Sequence, residues 1–421
     1  MKKCYMLFVF LGSCFAFSIS PALAADDAGA PNEWPSYIEG LSKLGDLNSL
    51  SSAPQDPQLR HEFYQFMMST ITQAYFGTVY ADLNHPDFYP AFDSAFAHFG
   101  TNPDNVYYLA PLDDKGSYRI SGYRGTVHII DFNLGSGMML ARGYGKLAKT
   151  LADYDIDTLH IDKKTGWFSV IVSPERPKDY KGDWWQMMPG TTNVLVRQLS
   201  YDMLKEVDGR FGIDRLDKPA IKPRKTPEEI ADNLKQVAIW AENWTKFSFE
   251  WEKKLADQGY VNKVLVRNIN DTGGFSTQTY IEGVFDLNPD EALIFETEIP
   301  TKCRYWNIEL TDERFVAIEW VNRQSTLNGR SAKLDRDGKF RAVIAATDPG
   351  VANWLDTGGQ KRGEMIGRWN TCNSGPVPTV TKVALADVKK HLPADTATIT
   401  PEVRDESLRK RRLGAQLRRR W

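Results

Sequence analysis

An internal repeat is the feature that most constrains how this chain of 421 residues can fold. Five residues recur about 170 positions downstream, in the pairs Asp162 and Asp335, Gly166 and Gly338, Phe168 and Phe340, Trp185 and Trp354, and Arg197 and Arg368. The repeat continues upstream, where YYLAPLD (107–113) corresponds to YIEGVFD (280–286) and VHIIDF (127–132) to CRYWNI (303–308). A period of this length is that of a whole domain, so the sequence predicts two related units in tandem.

Both halves of the chain are rich in short runs with strand character. Between residues 105 and 200, runs such as NVYYLA, TVHIIDF and WFSVIVS are β-branched and aromatic and are bounded by turn residues. The pattern returns after residue 261 with TQTYIEGVFDL, EALIFETEI and FRAVIAA. Runs of this length are typical of a sandwich or jelly roll. We therefore expect a mainly β fold with accessory helices, built from two tandem jelly-roll-like β-sandwich units.

Two segments have helical periodicity instead. Residues 56–83 place apolar side chains three and four residues apart, at Phe63, Phe66, Met67, Ile71 and Ala74. A second helix follows a Pro- and Lys-rich connector, because Thr226 suits the cap and Pro227 the first turn of a helix that should end near Gly259. Its predicted buried stripe is Ile230, Leu234, Val237, Trp240, Ala241, Trp244 and Phe247.

These patterns give a predicted domain order. It comprises a signal peptide (1–24), an N-terminal helical segment (25–100), a first β-sandwich unit (101–216), a connector and long helix (217–260), a second β-sandwich unit (261–385) and a basic C-terminal tail (386–421).

The first residues resemble an export signal. Lys2 and Lys3 precede an apolar run that ends in PALA (21–24), so we expect cleavage after Ala24 and a periplasmic or secreted protein. Lipoprotein anchoring at Cys14 is an alternative, which the continuation of the apolar run beyond Cys14 disfavours. No later run reaches the roughly 18 apolar residues of a membrane span, so no transmembrane segment is expected.

Cysteine usage agrees with an oxidising compartment. After removal of the signal only Cys303 and Cys372 remain, and such a pair is expected to form a disulfide, with two buried thiols as the alternative. The six histidines are scattered, and none lies within ligand spacing of a cysteine. We therefore expect no metal and no cofactor.

Charge is unevenly distributed. Without Lys2 and Lys3 the chain has 50 basic and 54 acidic residues, whereas residues 404–421 hold eight basic and two acidic residues. The basic tail could dock on the protein's own body, on a partner or on an anionic membrane surface, in that order of preference. Nucleic acid is not an expected partner, because no basic module interleaved with aromatic residues is present.

The C-terminal half resembles a known family. Residues 303–372, with CRYWNIEL, VNRQSTLNG, LDRDGKFRAVIAATDPGVANWLDT and GRW, are similar to the bacterial family called domain of unknown function 1214. The closing residues 418–421 also resemble the C-terminus of that family, whose members often carry a companion domain of unknown function 1254. The resemblance implies jelly-roll-like sandwiches and leaves the function open.

A turn-rich loop supplies the main candidate ligand site. In residues 348–357, Asn353 and Asp356 flank Trp354, whose flat indole suits stacking on a sugar or another ring. The alternative is that Trp354 closes the end of the sandwich while the polar residues close turns. The cations expected nearby are Arg304, Arg323 and Arg368, and these could bind a ligand carboxylate or pair with Asp312, Asp335 or Asp356. Trp306 and Asn322 complete the candidate set.

The sequence leaves three functions open. The first is the binding of a small molecule or glycan, or of another ring-containing ligand, in the cell envelope. The second is a glycan-directed hydrolase or lyase with Asp348 or Asp356 as the acid or base, among the carboxylates that also include Glu309 and Glu319. The third is a structural envelope component that assembles through its basic tail.

Overall fold

The fold was analysed in a computed structural model, which describes residues 32–137, 149–269 and 273–418. In these ranges eighteen strands form four sheets, accompanied by a few helices. The mainly β prediction is confirmed. The predicted signal peptide, residues 1–24, lies outside the described residues.

The first unit consists of nine strands. These are β1 (Tyr89–Pro90), β2 (Asn105–Pro111), β3 (Tyr118–Tyr123), β4 (Ile129–Ser136), β5 (Lys149–Asp155), β6 (Trp167–Ser173), β7 (Asp183–Gln186), β8 (Asn193–Leu199) and β9 (Arg210–Arg215). The larger sheet has the order β1-β2-β8-β4-β5 and the smaller sheet β7-β6-β3-β9. Side chains from both sheets, including Phe132, Phe168 and Trp185, form one buried core.

The second unit also has nine strands. These are β10 (Leu265–Arg267), β11 (Gln278–Asp286), β12 (Glu291–Thr297), β13 (Cys303–Leu310), β14 (Thr326–Asn328), β15 (Phe340–Ala345), β16 (Trp354–Asp356), β17 (Arg362–Cys372) and β18 (Thr379–Ala384). Its larger sheet is β10-β11-β17-β13-β14 and its smaller sheet β16-β15-β12-β18. Phe295, Trp306 and Phe340 contribute to its core.

The two units have the same topology. Each strand of the first unit has a counterpart nine strands later, in the same place of the same sheet. The register agrees as well, because Tyr107 lies opposite Arg197 on β8 while Tyr280 lies opposite Arg368 on β17. The predicted duplication is therefore present in the fold.

One pair of the sequence repeat, Trp185 with Trp354, is misaligned by a single residue. On β7, which runs parallel to β6, Trp184 lies opposite Ile171, and on β16 Trp354 lies opposite the equivalent Val343. The indole Nε1 of Trp184 donates to Ser173 Oγ, and that of Trp354 donates to the carbonyl of Ala345 at the same position. Trp354 is thus equivalent to Trp184, whereas Trp185 points into the core, because adjacent strand residues face opposite sides.

The jelly-roll detail of the prediction is not confirmed. Each smaller sheet contains one parallel pair, β6 with β7 and β15 with β16, whereas a jelly roll is an antiparallel architecture.

Four α-helices accompany the sheets in the described ranges. They are α1 (Trp34–Ser42), α2 (Pro57–Tyr75), α3 (Pro227–Asp257) and α4 (Pro401–Leu417), with 3-10 turns at Lys43–Leu50, Ile156–Thr158 and Leu385–Lys390 and a π turn at Phe76–Tyr80. Helix α3 starts where the sequence predicts. Thr226 directly precedes Pro227 and forms a reciprocal capping box with Glu229 in the first turn. Ile230 was wrongly placed in the buried stripe, because it is 45% exposed in the first turn.

Helix α3 joins the two units. Trp240 and Trp244 pack with Tyr107 and Leu195 of the first larger sheet. Two to three turns after Trp244, Trp251 and Leu255 pack with the second larger sheet, at Tyr280, Val284 and Ile366. A single helix therefore covers the outer faces of both larger sheets and fixes their relative position.

The basic C-terminal segment docks on the body of the protein. Arg404 forms an ion pair with Asp348 of the second unit, at 3.0 Å. Arg418 pairs with Asp208 at 2.7 Å and donates to the carbonyls of Asp104 and Gln198 in the first unit. Among the described helices, none has the length and apolar character needed to cross a membrane.

Candidate functional site

An internal cavity lies beneath α3, where the larger sheets of the two units meet. It has a volume of about 130 Å³, and we call it the inter-unit cavity. Aromatic rings from both units and from α3 line it, among them Phe99, Tyr107, Trp251, Phe275, Tyr280 and Phe315. Of the described lining residues, only Lys149 is exposed. Polar side chains, including those of Asn133, Asn193, Arg197 and Arg368, line the rest of it. A cavity that combines aromatic walls with polar groups is the usual form of a small-molecule site.

Arg197 contributes the first cation of the inter-unit cavity. It projects from β8 and is only 6% exposed. Its Nη2 donates to the carbonyl of Gly273 at 2.7 Å, and its guanidinium lies 4.3 Å from the centre of the Phe275 ring. Its Nη1 is buried without a hydrogen-bond partner among the described residues. The guanidinium is therefore only partly satisfied.

Arg368 is the equivalent cation of the second unit. It projects from β17, and its Nη2 donates to the carbonyl of Gly100 at 2.6 Å. Its Nη1 lies 2.8 Å from Glu309 Oε1 and 3.4 Å from Asn307 Oδ1. The contact with Glu309 has an ion-pair distance but not the alignment of a good hydrogen bond. Arg368 nevertheless has a carboxylate partner at contact distance.

The two arginines are held reciprocally. Gly100 precedes β2 of the first unit and accepts from the second unit's arginine, while Gly273 precedes β11 of the second unit and accepts from the first unit's arginine. Both glycines have positive φ, 55° at Gly100 and 89° at Gly273, which L-residues rarely adopt. A Cβ atom at Gly100 would also lie 2.9 Å from Phe315 Cε2. Glycine at these two positions allows the loop before β2 and the loop before β11 to approach the arginine of the other unit.

The second unit contains several buried acids, one of which, Glu309, contacts Arg368. Burial raises the pKa of Glu309 to about 8, although Arg368 opposes that rise. The pKa of Glu364 is also raised, by burial and then by the neighbouring Glu282 and Glu252. Glu282 lines the inter-unit cavity, accepts from Trp251 Nε1 at 3.1 Å and pairs with Arg267. This side of the cavity carries potential negative charge.

The first unit has amides at the matching positions. The register places Asn133 where the second unit has Glu309, and Asn193 where it has Glu364. Both asparagines line the inter-unit cavity. The acid that faces Arg197 is Asp131, opposite it on β4, and burial together with Asp153 raises the pKa of Asp131 well above its usual range. The protonated, uncharged form of Asp131 is therefore favoured.

His98 is a further lining residue. Its ring is buried, Nε2 lies 3.1 Å from Ser69 Oγ, and Nδ1 has no partner in the described parts of the chain. Burial lowers the pKa of His98 to about 3, so the imidazole is neutral. No group of three His, Cys, Asp or Glu side chains within the described ranges is arranged to hold a metal ion.

Of the ligand-binding residues predicted from sequence, Arg368 lines the inter-unit cavity. Arg304, at the start of β13, instead forms ion pairs across the unit boundary with Asp155 and Asp157. Trp306 packs in the core of the second unit, against Phe340. The structure does not bring Arg304, Trp354 and Arg368 into one pocket.

The remaining predicted residues lie near the small sheet of the second unit and α4. Trp354 is 8% exposed, and the guanidinium of Arg404 lies 5.4 Å from its ring centre. Asn353 donates to the carbonyls of Lys333 and Arg341, at 2.6 and 2.8 Å. A ring ligand would have to displace Arg404 before it could stack on this indole. The alternative in which Trp354 closes the sandwich matches these contacts.

The predicted acid–base candidates are engaged by different arginines. Asp348 pairs with Arg404 at 3.0 Å, and Asp356 pairs with Arg323 at 2.9 Å. Asn322 donates to Glu319 at 3.0 Å. Their catalytic and ligand-binding roles stay predictions, now placed away from the inter-unit cavity.

Cys303 and Cys372 lie directly opposite each other on β13 and β17. Strand pairing places the two sulfur atoms side by side, so the cysteines are positioned to form the predicted disulfide.

Sequence reasoning missed most of the cavity. Arg197 was noted only as the counterpart of Arg368 in the repeat, and Trp251, Phe275 and Gly273 were not singled out. The repeat contained the signal, since Tyr107 with Arg197 and Tyr280 with Arg368 are the matched pairs that meet beneath α3. What the sequence could not show is that both pairs face one shared space.

Solved structures resemble this fold. An uncharacterised protein from Burkholderia cenocepacia shares 27% sequence identity with a TM-score of 0.77, covering 84% of this chain and 97% of that chain. A protein from Vibrio parahaemolyticus is 14% identical with a TM-score of 0.43, covering 81% of this chain and 100% of that one. No curated protein matches the chain. Residues 284–370 match the family DUF1214, described as a protein of unknown function, so the C-terminal part of this chain carries the domain of that family.

Proposed function

We propose that this protein binds a small ring-containing ligand in the inter-unit cavity. The observation that carries the proposal is the set of aromatic side chains, contributed by both units and α3, that surrounds this space. Aromatic walls favour flat rings through stacking and edge-to-face contacts. Polar groups of the lining can orient a ligand, among them the Arg197 guanidinium and the Glu282 carboxylate.

The size of the cavity supports a single ring. An engineered protein cavity of about 150 Å³ is large enough to bind benzene. The inter-unit cavity, at about 130 Å³, is of the same order. An aromatic ring or one sugar ring therefore suits it better than a chain of sugars.

We further propose that this binding takes place in the cell envelope. The charged start, apolar run and PALA motif of residues 1–24 support export, as does a cysteine pair positioned to bond. Expression of the full chain followed by cell fractionation and intact-mass measurement tests this point. Recovery of the periplasmic protein beginning at Ala25 is expected, whereas a cytoplasmic protein that retains Lys2 and Lys3 would contradict it.

The binding proposal is tested with single-ring compounds, namely benzoate, benzamide, phenol, glucose and galactose. Thermal-shift screening identifies the hits, and isothermal titration calorimetry measures their affinity. Trp251→Phe and Trp354→Phe form a matched pair, because each removes one indole N–H bond while keeping a ring. Trp251→Phe should weaken binding by about tenfold, equivalent to roughly 1.4 kcal/mol, and Trp354→Phe should leave it unchanged.

A third variant blocks the space itself. Leu195 lines the inter-unit cavity, so Leu195→Trp should fill it and abolish binding. Circular dichroism verifies that each variant is folded. Binding that survives Leu195→Trp and Trp251→Phe but is lost in Trp354→Phe would assign the ligand to the loop at residues 348–357 instead.

A further inference from the structure

We infer that the ligand of the inter-unit cavity is a ring-bearing carboxylate, and that Nη1 of Arg197 binds its carboxylate group. This inference rests on the proposed ligand-binding function and names the ligand class. The geometry that points to it is an arginine that lines the cavity, is 6% exposed and leaves one guanidinium nitrogen without a partner in the described chain.

A buried, partly unsatisfied guanidinium is costly for a protein to keep. An unmade hydrogen bond of a buried charged group loses its hydration without replacement. Arg197 Nη2 is already held by the Gly273 carbonyl and one face lies against Phe275, so the guanidinium is fixed in position. A ligand oxygen at Nη1 would complete its hydrogen bonding without moving the side chain.

The contrast with Arg368 indicates an anionic ligand. Arg368 has Glu309 at 2.8 Å, whereas the first unit has the neutral Asn133 at the equivalent position. The acid opposite Arg197 is Asp131, which does not line the cavity and whose raised pKa favours its uncharged form. The arginine is thus present in both units, whereas the glutamate that faces it is present only in the second unit. A ligand carboxylate would contact Arg197 at the place where the Glu309 carboxyl group contacts Arg368 in the second unit.

The lining near Arg197 fits a carboxylate attached to a ring. Asn133 and Asn193 add amide groups without negative charge, while Tyr107, Leu195 and Phe275 form the adjoining apolar wall. Glu282, on β11 of the second unit, adds a carboxylate to the lining there and is paired with Arg267. The charged end of the ligand is therefore directed toward the first unit and the ring toward Trp251 and α3.

The test compares benzoate with benzamide, which have the same ring and nearly the same shape but differ in charge. Calorimetry should show that the wild-type protein binds benzoate at least about tenfold more tightly than benzamide. Arg197→Gln should reduce this preference to within about twofold while the benzamide affinity is retained. Arg197→Lys should restore part of the preference, because it keeps the charge and loses the planar donor fork.

The control is Arg304→Gln, which removes a cation at the unit boundary that pairs with Asp155 and does not line the inter-unit cavity. It should keep the preference for benzoate. Equal affinities for the two compounds in the wild type, or a preference that persists in folded Arg197→Gln, would overturn the inference while ring binding stands. If no single-ring compound binds the wild type, the proposed function itself fails.

Discussion

Arg197 and Arg368 occupy equivalent positions in the two units, and each donates a hydrogen bond to a glycine carbonyl that leads into the other unit. The bond from Arg197 to Gly273 measures 2.7 Å and that from Arg368 to Gly100 measures 2.6 Å. The duplicated units are therefore joined by exchanged contacts of the same kind. The two arginines differ in the contacts of Nη1. In Arg368 this nitrogen lies 2.8 Å from Glu309, and in Arg197 it has no hydrogen-bond partner among the described residues.

The two arginines should contribute unequally to stability. At pH 8.5, Arg368→Gln leaves the buried Glu309 without its cation and should lower the free energy of unfolding by about 3–5 kcal/mol. Arg197→Gln loses the bond to Gly273 but also removes an unsatisfied Nη1, so a smaller loss of about 1–2 kcal/mol is expected. Urea unfolding followed by tryptophan fluorescence measures both. Equal losses of unfolding free energy in the two variants would show that the pair with Glu309 does not give Arg368 a larger role in stability than Arg197.

Glu309 should make the protein less stable as the pH rises. Its pKa is about 8 in the folded protein against the ordinary 4.5, so folding favours the protonated form. That contribution is complete below about pH 4.5 and is lost toward pH 8, with a slope of up to about 1.4 kcal/mol per pH unit. Glu309→Gln, which imitates the protonated side chain, should flatten the stability profile in this range. The exposed Glu242→Gln is the control, and a profile equally steep in both variants would contradict the assignment.

The C-terminal helix should stabilise the fold through its buried arginine. Arg418 pairs with Asp208, and both side chains are almost fully buried. Arg418→Gln should therefore lower the free energy of unfolding by about 3–5 kcal/mol. Arg409→Gln, within α4, removes an exposed pair with Asp405. It should change the free energy of unfolding by less than about 0.5 kcal/mol. Comparable denaturation midpoints for the two variants would contradict this role of Arg418.

Formation of the Cys303–Cys372 bond should be measurable by reduction. The cysteines are 69 residues apart, and closing a loop of this length stabilises a fold by up to about 4 kcal/mol in the chain-entropy model. Dithiothreitol should lower the melting temperature of the wild type to that of Cys303→Ser/Cys372→Ser. The double variant should not respond to the reductant. A wild type equally insensitive to dithiothreitol, with two free thiols by mass labelling, would show that the bond is not formed.

The duplicated architecture could be predicted because both copies need the same residues at the same turns and core positions. Gly166 and Gly338, for instance, have φ of 76° and 80° at equivalent hairpins, and Phe168 and Phe340 are both buried at the start of the following strand. The repeat was less reliable at adjacent tryptophans. Trp184 and Trp185 face opposite sides of β7, and a sequence match alone did not reveal which of them Trp354 resembles.

The inter-unit cavity could not be predicted, because it depends on how the units meet. Gly100 and Gly273 contact arginines more than 70 residues away, and no local pattern records those contacts. Arg304 was expected near Trp354, yet the strand that carries it begins at the boundary with the first unit, beside Asp155. The helical stripe of α3 was recognised, but not that its two halves cover different sheets.

A crystal structure of the protein with bound benzoate would show where the ligand lies and what its carboxylate contacts. We expect electron density for one ring in the inter-unit cavity, between Trp251 and Tyr107, with its carboxylate at hydrogen-bond distance from Arg197 Nη1. Density for benzoate beside Trp354 with an empty inter-unit cavity, at a concentration that saturates binding in solution, would contradict this expectation.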